Sequence, residues 1–256
     1  MDFEPIFVVL GLAAMLAGFV DAVVGGGGLI QIPALFTAFP QASPAVLFGT
    51  NKLASIAGTA SAAFQYSRRV SIPWEIALPG ALAAFVGSWF GAKTVALLDP
   101  ALLRPLILVL LCAVAVYTFR RKDFGADQTG PTPVIRHALL KTLLIGGVIG
   151  FYDGFFGPGT GSFLIFAFIQ LLGLSFLRAS AVAKLVNVST NIAAIAYFAA
   201  SVELMFGLAA VMAACNLSGA VLGSRLAIRR GSGFVRKLFL VVVGVLIVRM
   251  LVDLLR

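Results

Sequence analysis

The stretch GFVDAVVGGGGLIQIP, residues 18–33, places a carboxylic acid and four consecutive glycines inside an otherwise apolar run. Glycine destabilises the interior of a helix, and a buried carboxylate carries a large desolvation cost. A related stretch, GFYDGFFGPG, occupies residues 150–159 and repeats the acid followed by glycines. The sequence therefore predicts that each half of the chain contains an apolar segment with a break in its backbone.

The composition of the chain is typical of a helical membrane protein. Of its 256 residues, 61% are hydrophobic and 11% are charged, and the mean hydropathy is +1.06. Several apolar windows reach the roughly 20 residues that span a bilayer, and the alternating segments typical of a transmembrane β-barrel are absent. We therefore expect an all-α polytopic membrane protein. Its net charge of +9 indicates cytoplasmic loops and contacts with anionic lipid rather than with nucleic acid.

The two glycine-rich stretches belong to an internal repeat with a constant offset of 132 residues. Matched Leu or Ala could arise by chance between apolar segments, but matched charges and glycines at one offset indicate a duplication. The pairs include Lys52 with Lys184, Gly87 with Gly219, Gly91 with Gly223, Lys93 with Arg225, and Arg104 with Arg236. We predict a single transmembrane domain, 1–256, made of repeat 1 (about 1–124) and repeat 2 (about 133–256), with a linker loop at 120–137.

The distribution of basic residues favours one orientation of these repeats. If each glycine-rich segment crosses the membrane as one helix, the two sides carry nine and eight basic residues. If residues 5–39 and 138–173 instead form re-entrant hairpins bent at their glycines, the count becomes thirteen against four. Because cytoplasmic loops are enriched in Lys and Arg, we expect two inverted repeats of about four helical segments each. The loop 120–137 is then cytoplasmic, and both termini face outward.

The two backbone breaks form a candidate anion site. Irregular backbone at membrane depth persists only where protein or a water-filled cavity covers it, so the two breaks should face each other. The half-helices that begin near Leu29 and near Ser162 would direct free N–H groups and positive dipole ends at the site. The candidate residues at the breaks are Gly25, Gly26, Gly27, Gly28, Gly157, Gly159, Thr160, Gly161 and Ser162.

A polar helix follows each break, and each contains a lysine followed by neutral hydrogen-bonding residues at helical spacing. An intramembrane lysine is rare and costly, and it marks a functional site by default. This arrangement suits an oxyanion. An ammonium group cannot ligate a metal, and no His/Cys/Asp/Glu cluster has metal-ligand spacing, so we expect neither a metal nor a cofactor. The candidates are Asn51, Lys52, Ser55 and Thr59 in the first half, and Lys184, Asn187 and Asn191 in the second.

The acids of the two breaks, Asp21 and Asp153, equal the two lysines in number. Each could pair with a lysine or cap backbone N–H groups at its break. Alternatively, each could titrate and so couple anion movement to protons. The lysines could contact the substrate or serve as structural partners of the aspartates, and the spacing does not separate these roles.

Small residues elsewhere in the apolar segments have a simpler interpretation. Small side chains allow membrane helices to approach closely, and we predict such packing within each repeat. A buried cysteine behaves as a small hydrophobic residue. The residues concerned are Gly80, Gly87, Gly91, Gly219 and Gly223, together with Cys112 and Cys215.

These motifs resemble those of a known family. The glycine-rich break after G-F-x-D, the Asn51-Lys52-Leu53 motif and the stretch GFYDGFFGPGTGSF at residues 150–163 are similar to those of the TauE/SafE sulfite exporter family. That family is also called the toluenesulfonate uptake permease (TSUP) family, and the chain is similar to its YfcA-like bacterial branch. The resemblance covers almost the whole chain. It implies a bacterial inner-membrane protein that moves small anions such as sulfite, sulfonates or sulfoacetate.

The residues and the resemblance together predict a secondary transporter that exports a small anion by alternating access around a site near the bilayer midplane. An anion channel and an uptake permease for small organic anions are the alternatives. A membrane enzyme would need a nucleophile–base pair or a metal cluster, and the sequence contains neither. The expected partners are a small-molecule anion such as sulfite, sulfoacetate or another organosulfonate and the lipid bilayer, without nucleic acid. A homodimer is a further expectation that no sequence motif supports or opposes.

Overall fold

The structure, a computed structural model, describes residues 5–99, 101, 103, 109 and 137–254, with side chains as far as residue 230. The predicted linker loop 120–137, except its last residue, and Cys112 lie outside the described residues. The described part of the chain contains eight helices and no strand, which confirms the expected all-α class. The helices are α1 (Pro5–Val24), α2 (Gly28–Ala38), α3 (Pro44–Ser67), α4 (Trp74–Leu97), α5 (Ala138–Phe155), α6 (Thr160–Leu172), α7 (Phe176–Ser201) and α8 (Phe206–Leu254).

Five helical stretches are long and apolar enough to cross a membrane: α1, α4, α5, α7 and the Phe206–Arg230 part of α8. The apolar helices α2 and α6 have only 11 and 13 residues, which at 1.5 Å per residue reach about halfway across a bilayer. Helix α3 has 24 residues, like α4, but it carries the polar face that contains Lys52. This set of helices is that of a multi-pass membrane protein.

Corresponding helices of the two halves begin 132 residues apart, which is the offset of the sequence repeat. Helix α2 begins at Gly28 and α6 at Thr160, and α3 begins at Pro44 and α7 at Phe176. Helix α4 begins at Trp74 and α8 at Phe206, which are again 132 residues apart.

Glycines lie where α1 meets α8 and where α4 meets α5. A Cβ atom on Gly219 would lie 1.9 Å from the carbonyl oxygen of Met15, and one on Gly87 would lie 2.3 Å from that of Gly147. The prediction of close packing at these glycines is therefore right, but its location was wrong. The contacts join a helix of one half to a helix of the other, because the first helix of each half packs along the fourth helix of its counterpart.

The order of these contacts gives the relative directions of α1, α3 and α8. Met15 of α1 packs on Gly219 of α8, and four residues further along both helices Phe19 packs on Gly223, so α1 and α8 run in the same direction. The start of α3 meets the start of α8, because the Met205 N–H donates to the hydroxyl of Thr50 (3.2 Å). Further along, Gly58 of α3 packs against Asn216 of α8. Helices α1, α3 and α8 therefore run parallel.

Helices α4, α5 and α7 form the equivalent parallel set. The Ser189 hydroxyl donates to the carbonyl of Ala81 (2.8 Å), and eight residues further along both helices the rings of Tyr197 and Trp89 lie 5.3 Å apart. Along α4 and α5, Ala84 packs on Gly150 and Ser88 on Gly154. In both helix pairs, the residue numbers of successive contacts rise together, so α4 runs parallel to α5 and to α7.

The two parallel sets run in opposite directions. Phe198, late in α7, packs on Gly49, early in α3. Lys184, early in α7, bonds Asp21, and the neighbouring Ala22 carbonyl accepts from the hydroxyl of Tyr66 at the end of α3 (3.2 Å). Helix α7 is thus antiparallel to α3.

The interface between α4 and α5 offers a matched test of this packing. We expect Gly87→Ala to lower the apparent melting temperature, because its Cβ would overlap the Gly147 carbonyl and overpacking costs about 1–3 kcal/mol. The control is Gly147→Ala on the facing helix, since a Cβ there meets nothing within 4 Å. Thermal unfolding followed by size-exclusion chromatography in detergent measures both variants. Equal stability of the two variants would contradict the arrangement.

Candidate functional site

The two glycine-rich breaks lie against each other at the centre of the molecule. A Cβ on Gly25 would lie 2.4 Å from the carbonyl carbon of Gly161, and Gly25 has a φ of +81° that other residues rarely adopt. The Ser162 N–H donates to the carbonyl of Gly25 (3.2 Å), and the Ser162 hydroxyl donates to the carbonyl of Val24 (2.7 Å). Glycine is required here because the two backbones approach too closely for a side chain.

Each break is followed by the amino-terminal end of a short helix, α2 at Gly28 and α6 at Thr160. Among the described residues, the backbone N–H groups of Gly27, Gly28 and Gly161 have no hydrogen-bond acceptor. The first N–H groups of a helix are available to a ligand and carry a partial positive charge. Two such ends therefore direct free donors toward one region.

The ion pairs at the breaks connect the two halves of the chain. Lys52 Nζ of α3 lies 2.5 Å from Asp153 Oδ2 of α5, and both side chains are 6% exposed. Lys184 Nζ of α7 lies 2.9 Å from Asp21 Oδ2 of α1 and also donates to the Asp21 backbone carbonyl. Each lysine therefore pairs with the aspartate of the opposite half, and the two pairs together carry no net charge when all four groups are ionised.

A polar cavity of about 40 Å³ lies between the breaks and the middle turns of α3 and α7. Ser55 and Thr59, which follow Lys52 on the same helix face, line this cavity. Asn187 and Asn191, which follow Lys184 in the same way, also line it. The cavity is lined by Asp21, Gly25, Gly27, Gly28, Asn51, Lys52, Ser55, Thr59, Asp153, Gly157, Thr160, Gly161, Asn187, Asn191 and Asn216.

Four residues of the predicted site do not line this cavity: Gly26, Gly159, Ser162 and Lys184. The Ser162 hydroxyl is occupied by the Val24 carbonyl, and Gly159 adopts a left-handed conformation (φ +80°) before α6. Lys184 is completely buried and is held by both the carboxylate and the carbonyl of Asp21. The two lysines are therefore equivalent in sequence but not in position, since only Lys52 reaches the cavity.

Two amide side chains join the site although the sequence reasoning missed them. Asn216 of α8 lines the cavity, and its Nδ2 donates to Gln31 Oε1 (3.1 Å) and to the carbonyl of Ala14 (3.2 Å). Gln31 of α2 in turn donates from Nε2 to the hydroxyl of Ser55 (3.3 Å). Both amides stand alone in apolar segments, and an uncharged polar residue inside a span is a signal that could have identified them.

Two cavity residues keep unused hydrogen-bonding capacity. Asn51 and Asn187 are 5% and 6% exposed, and no described residue hydrogen-bonds to the amide oxygen of either. Buried polar groups are normally paired, so these two oxygens are open acceptors. Only the NH₂ groups of the same side chains could donate to an anion. No group of three or more His, Cys, Asp or Glu side chains that could hold a metal occurs in the described part of the chain.

The comparisons with known proteins agree on one family. The family model described as sulfite exporter TauE/SafE matches residues 10–250. The chain is 35% identical to the "Probable membrane transporter protein YfcA" of Escherichia coli K12, over 96% of this chain and 89% of the relative. It is also 35% identical to the "Probable membrane transporter protein ORF9" of a Sinorhizobium species (95% and 92%), and 32% identical to a "Probable membrane transporter protein" of Haemophilus influenzae (96% and 94%). No solved structure matches the chain significantly. The chain therefore belongs to the TauE/SafE sulfite exporter family.

Proposed function

We propose that this protein is a secondary transporter that exports a small anion, such as sulfite, sulfoacetate or another organosulfonate, across the bacterial inner membrane. The observation that carries the proposal is the cavity between the two breaks. Lys52, the free N–H groups of two helix starts, three hydroxyl side chains and four amide side chains face one small space. The family description and the names of the relatives support membrane transport and a sulfur oxyanion as substrate.

The donors of the cavity favour an anion over a cation. Helix starts and amide NH₂ groups donate hydrogen bonds to oxyanions without carrying a full charge. The carboxylate of Asp153 already balances the charge of Lys52, so an anion that binds beside this neutral pair makes the occupied site negatively charged overall. Protonation of Asp153 would compensate that charge and is the way in which the pair could couple transport to protons.

We propose inverted repeats with re-entrant hairpins formed by α1–α2 and α5–α6. The parallel directions of α1 and α3 support this, because α2 has to return the chain toward the side from which α1 entered. The groove that Arg68 and Arg69 share with Arg225 and Arg229 supports it as well. A model in which every glycine-rich segment crosses the membrane would put these two arginine pairs on opposite sides. We assign this arginine-rich side and the loop 120–137 to the cytoplasm and the amino terminus to the outside. The sequence also predicts an outward carboxy terminus, but α8 continues without a break from Phe206 past the arginines of this side to Leu254.

Alternating access would follow from movement of one half against the other around the contact between the two breaks. An inside-negative membrane potential favours exit of an anion by about 2.3 kcal/mol per charge per 100 mV, so export needs no strong coupling ion. The main alternative is an anion channel that uses the same donors.

Counterflow in liposomes tests the proposal. We expect purified protein to accelerate uptake of labelled sulfite into liposomes preloaded with unlabelled sulfite, and to do so saturably, because a carrier exchanges its substrate across the membrane. Sulfite or an organosulfonate, but not potassium chloride at equal ionic strength, should also raise the apparent melting temperature by mass action. Flux that never saturates would identify a channel. A complete panel of sulfite, sulfonates and carboxylates without counterflow or thermal shift would refute anion transport.

A further inference from the structure

A second cavity lies between the carboxyl-terminal end of α3 and the middle part of α8. It is a groove of about 760 Å³ whose lining includes Arg68 and Arg69, which directly follow α3, and Arg225 and Arg229 of α8. All four arginines are exposed, and neither of the two ion pairs formed within the described residues includes any of them. Four cations around one groove repel each other, and an anion placed among them would relieve that repulsion.

The groove lies directly beyond the proposed transport site. Thr59 lines the site cavity and Arg68 lines the groove, and nine residues of helix separate them, which is about 13 Å. On the parallel helix α8, Asn216 and Arg225 have the same separation and the same two roles. Both helices therefore lead from the arginines to the site.

The internal repeat shows that the fold does not require these arginines. At the offset of 132, the counterparts of Arg68 and Arg69 are Ala200 and Ser201, and those of Arg225 and Arg229 are Lys93 and Leu97. The equivalent positions at the opposite end of the molecule thus carry one cation instead of four. A positive-inside bias could be met by arginines in any cytoplasmic loop, whereas these four surround a single groove.

We propose that the groove is a second anion-binding site, an arginine-lined vestibule that collects the oxyanion from the cytoplasm before it enters the site between the breaks. This inference rests on the proposed anion transport and on the cytoplasmic assignment of this side. The guanidinium group presents paired N–H donors that match sulfonate and sulfite oxygens. Clustered charge of one sign in a cleft also raises the local concentration of the opposite ion. The asymmetry of charge gives the two faces different capture efficiencies and favours loading from the cytoplasm.

The proposal is tested by the reactivity of a cysteine placed in the groove. Gln65 lines it, so Gln65→Cys is made in protein whose native cysteines, Cys112 and Cys215, are replaced by alanine. This cysteine is modified by two thiol reagents of opposite charge, a sulfonate-bearing thiosulfonate and its trimethylammonium analogue, in a preparation that exposes this face of the protein to the solution. The measured quantity is the modification rate with the anionic reagent divided by the rate with the cationic one. We expect Arg225→Gln/Arg229→Gln to lower this ratio by roughly tenfold, and concentrated salt to lower it similarly.

The matched control is Arg178→Gln, which removes an exposed arginine near the start of α7 that does not line the groove; its ratio should stay unchanged. A ratio that does not respond to Arg225→Gln/Arg229→Gln would overturn the vestibule. Liposomes with and without phosphatidylglycerol separate the two sources of an oxyanion. If anionic lipid suppresses the ratio to the level of the double variant, the groove is a headgroup site and the proposal is wrong.

Flux measurements distinguish failure of the vestibule from failure of anion transport. We expect Arg225→Gln/Arg229→Gln to raise, several-fold, the sulfite concentration that gives half-maximal flux from the arginine side and to leave that from the other side unchanged. Normal flux with no such change would refute the vestibule alone. Absence of sulfite and sulfonate flux in the unmodified protein would refute the proposed transport, whatever the cysteine reactivity shows.

Discussion

Replacing Lys52 by methionine together with Asp153 by asparagine should give a folded protein that no longer exchanges sulfite. Lys52 Nζ lies 2.5 Å from Asp153 Oδ2 and is the lysine that reaches the cavity. Removing both charges avoids an unpaired buried carboxylate, which would destabilise the protein by about 3–5 kcal/mol. Loss of a buried charged contact costs about 2–5 kcal/mol of binding, so we expect the affinity for sulfite to fall about 30-fold or more.

Two matched variants make this result interpretable. Lys93→Met removes an exposed lysine from α4 and should leave sulfite counterflow unchanged. Asp153→Asn alone breaks a buried pair and should lower stability by about 3–5 kcal/mol, but it keeps the Lys52 cation beside the cavity, so the protein that folds should retain sulfite binding. Thermal shift by sulfite and counterflow in liposomes are the two measurements. Unchanged affinity in the folded Lys52→Met/Asp153→Asn protein would remove Lys52 from the anion site.

Asp153→Asn also separates the two roles that the sequence left open for the aspartates. If Asp153 carries a coupling proton, sulfite flux in this variant should lose its dependence on an imposed pH gradient, because asparagine does not titrate. If Asp153 only pairs with Lys52, the response to the gradient should match that of the unmodified protein.

The helical segments were predictable because hydrophobic length and glycine position determine them. The hairpins predicted at 5–39 and 138–173 correspond to helices that occupy 5–38 and 138–172. The short helices begin at Gly28 and Thr160, one and two residues before the expected Leu29 and Ser162. A break of several glycines or of Gly-Pro-Gly cannot continue a helix, so the sequence located both breaks to within two residues.

The neighbours of each residue were less predictable, because a repeat identifies equivalent positions and not contacts. The pattern treated Lys52 and Lys184 alike, yet Lys184 bonds two oxygens of Asp21 behind the cavity while Lys52 lines it. The glycines of α4 and α8 were assigned to packing within a repeat, whereas their partners lie in the other half. Asn216 enters the site only because α8 packs along α1 and α3, which no local pattern indicates.

The pair Lys184–Asp21 should behave as a structural element, in contrast to Lys52–Asp153. Lys184 is completely buried, and its side chain is 1% exposed against 22% for that of Asp21. Asp21→Asn would leave an ammonium group in a low-dielectric environment with only the backbone carbonyl as a partner. Breaking a buried pair in this way costs about 3–5 kcal/mol, so we expect a large fall in the apparent melting temperature and little folded protein.

Replacing both members of this pair should restore most of that stability. In Asp21→Asn/Lys184→Met no charge is left unpaired, and a buried ion pair can often be replaced by uncharged residues of similar volume at little cost. Lys184 does not line the cavity, and Asp21, which does, is an acceptor that asparagine replaces with a polar side chain of similar size. The rescued protein should therefore still bind sulfite within a few-fold of the original affinity. Thermal unfolding of the two single variants and the double variant measures the coupling energy between the side chains. Additive losses of stability, or a stable double variant that has lost sulfite binding, would contradict the division of roles between the two lysines.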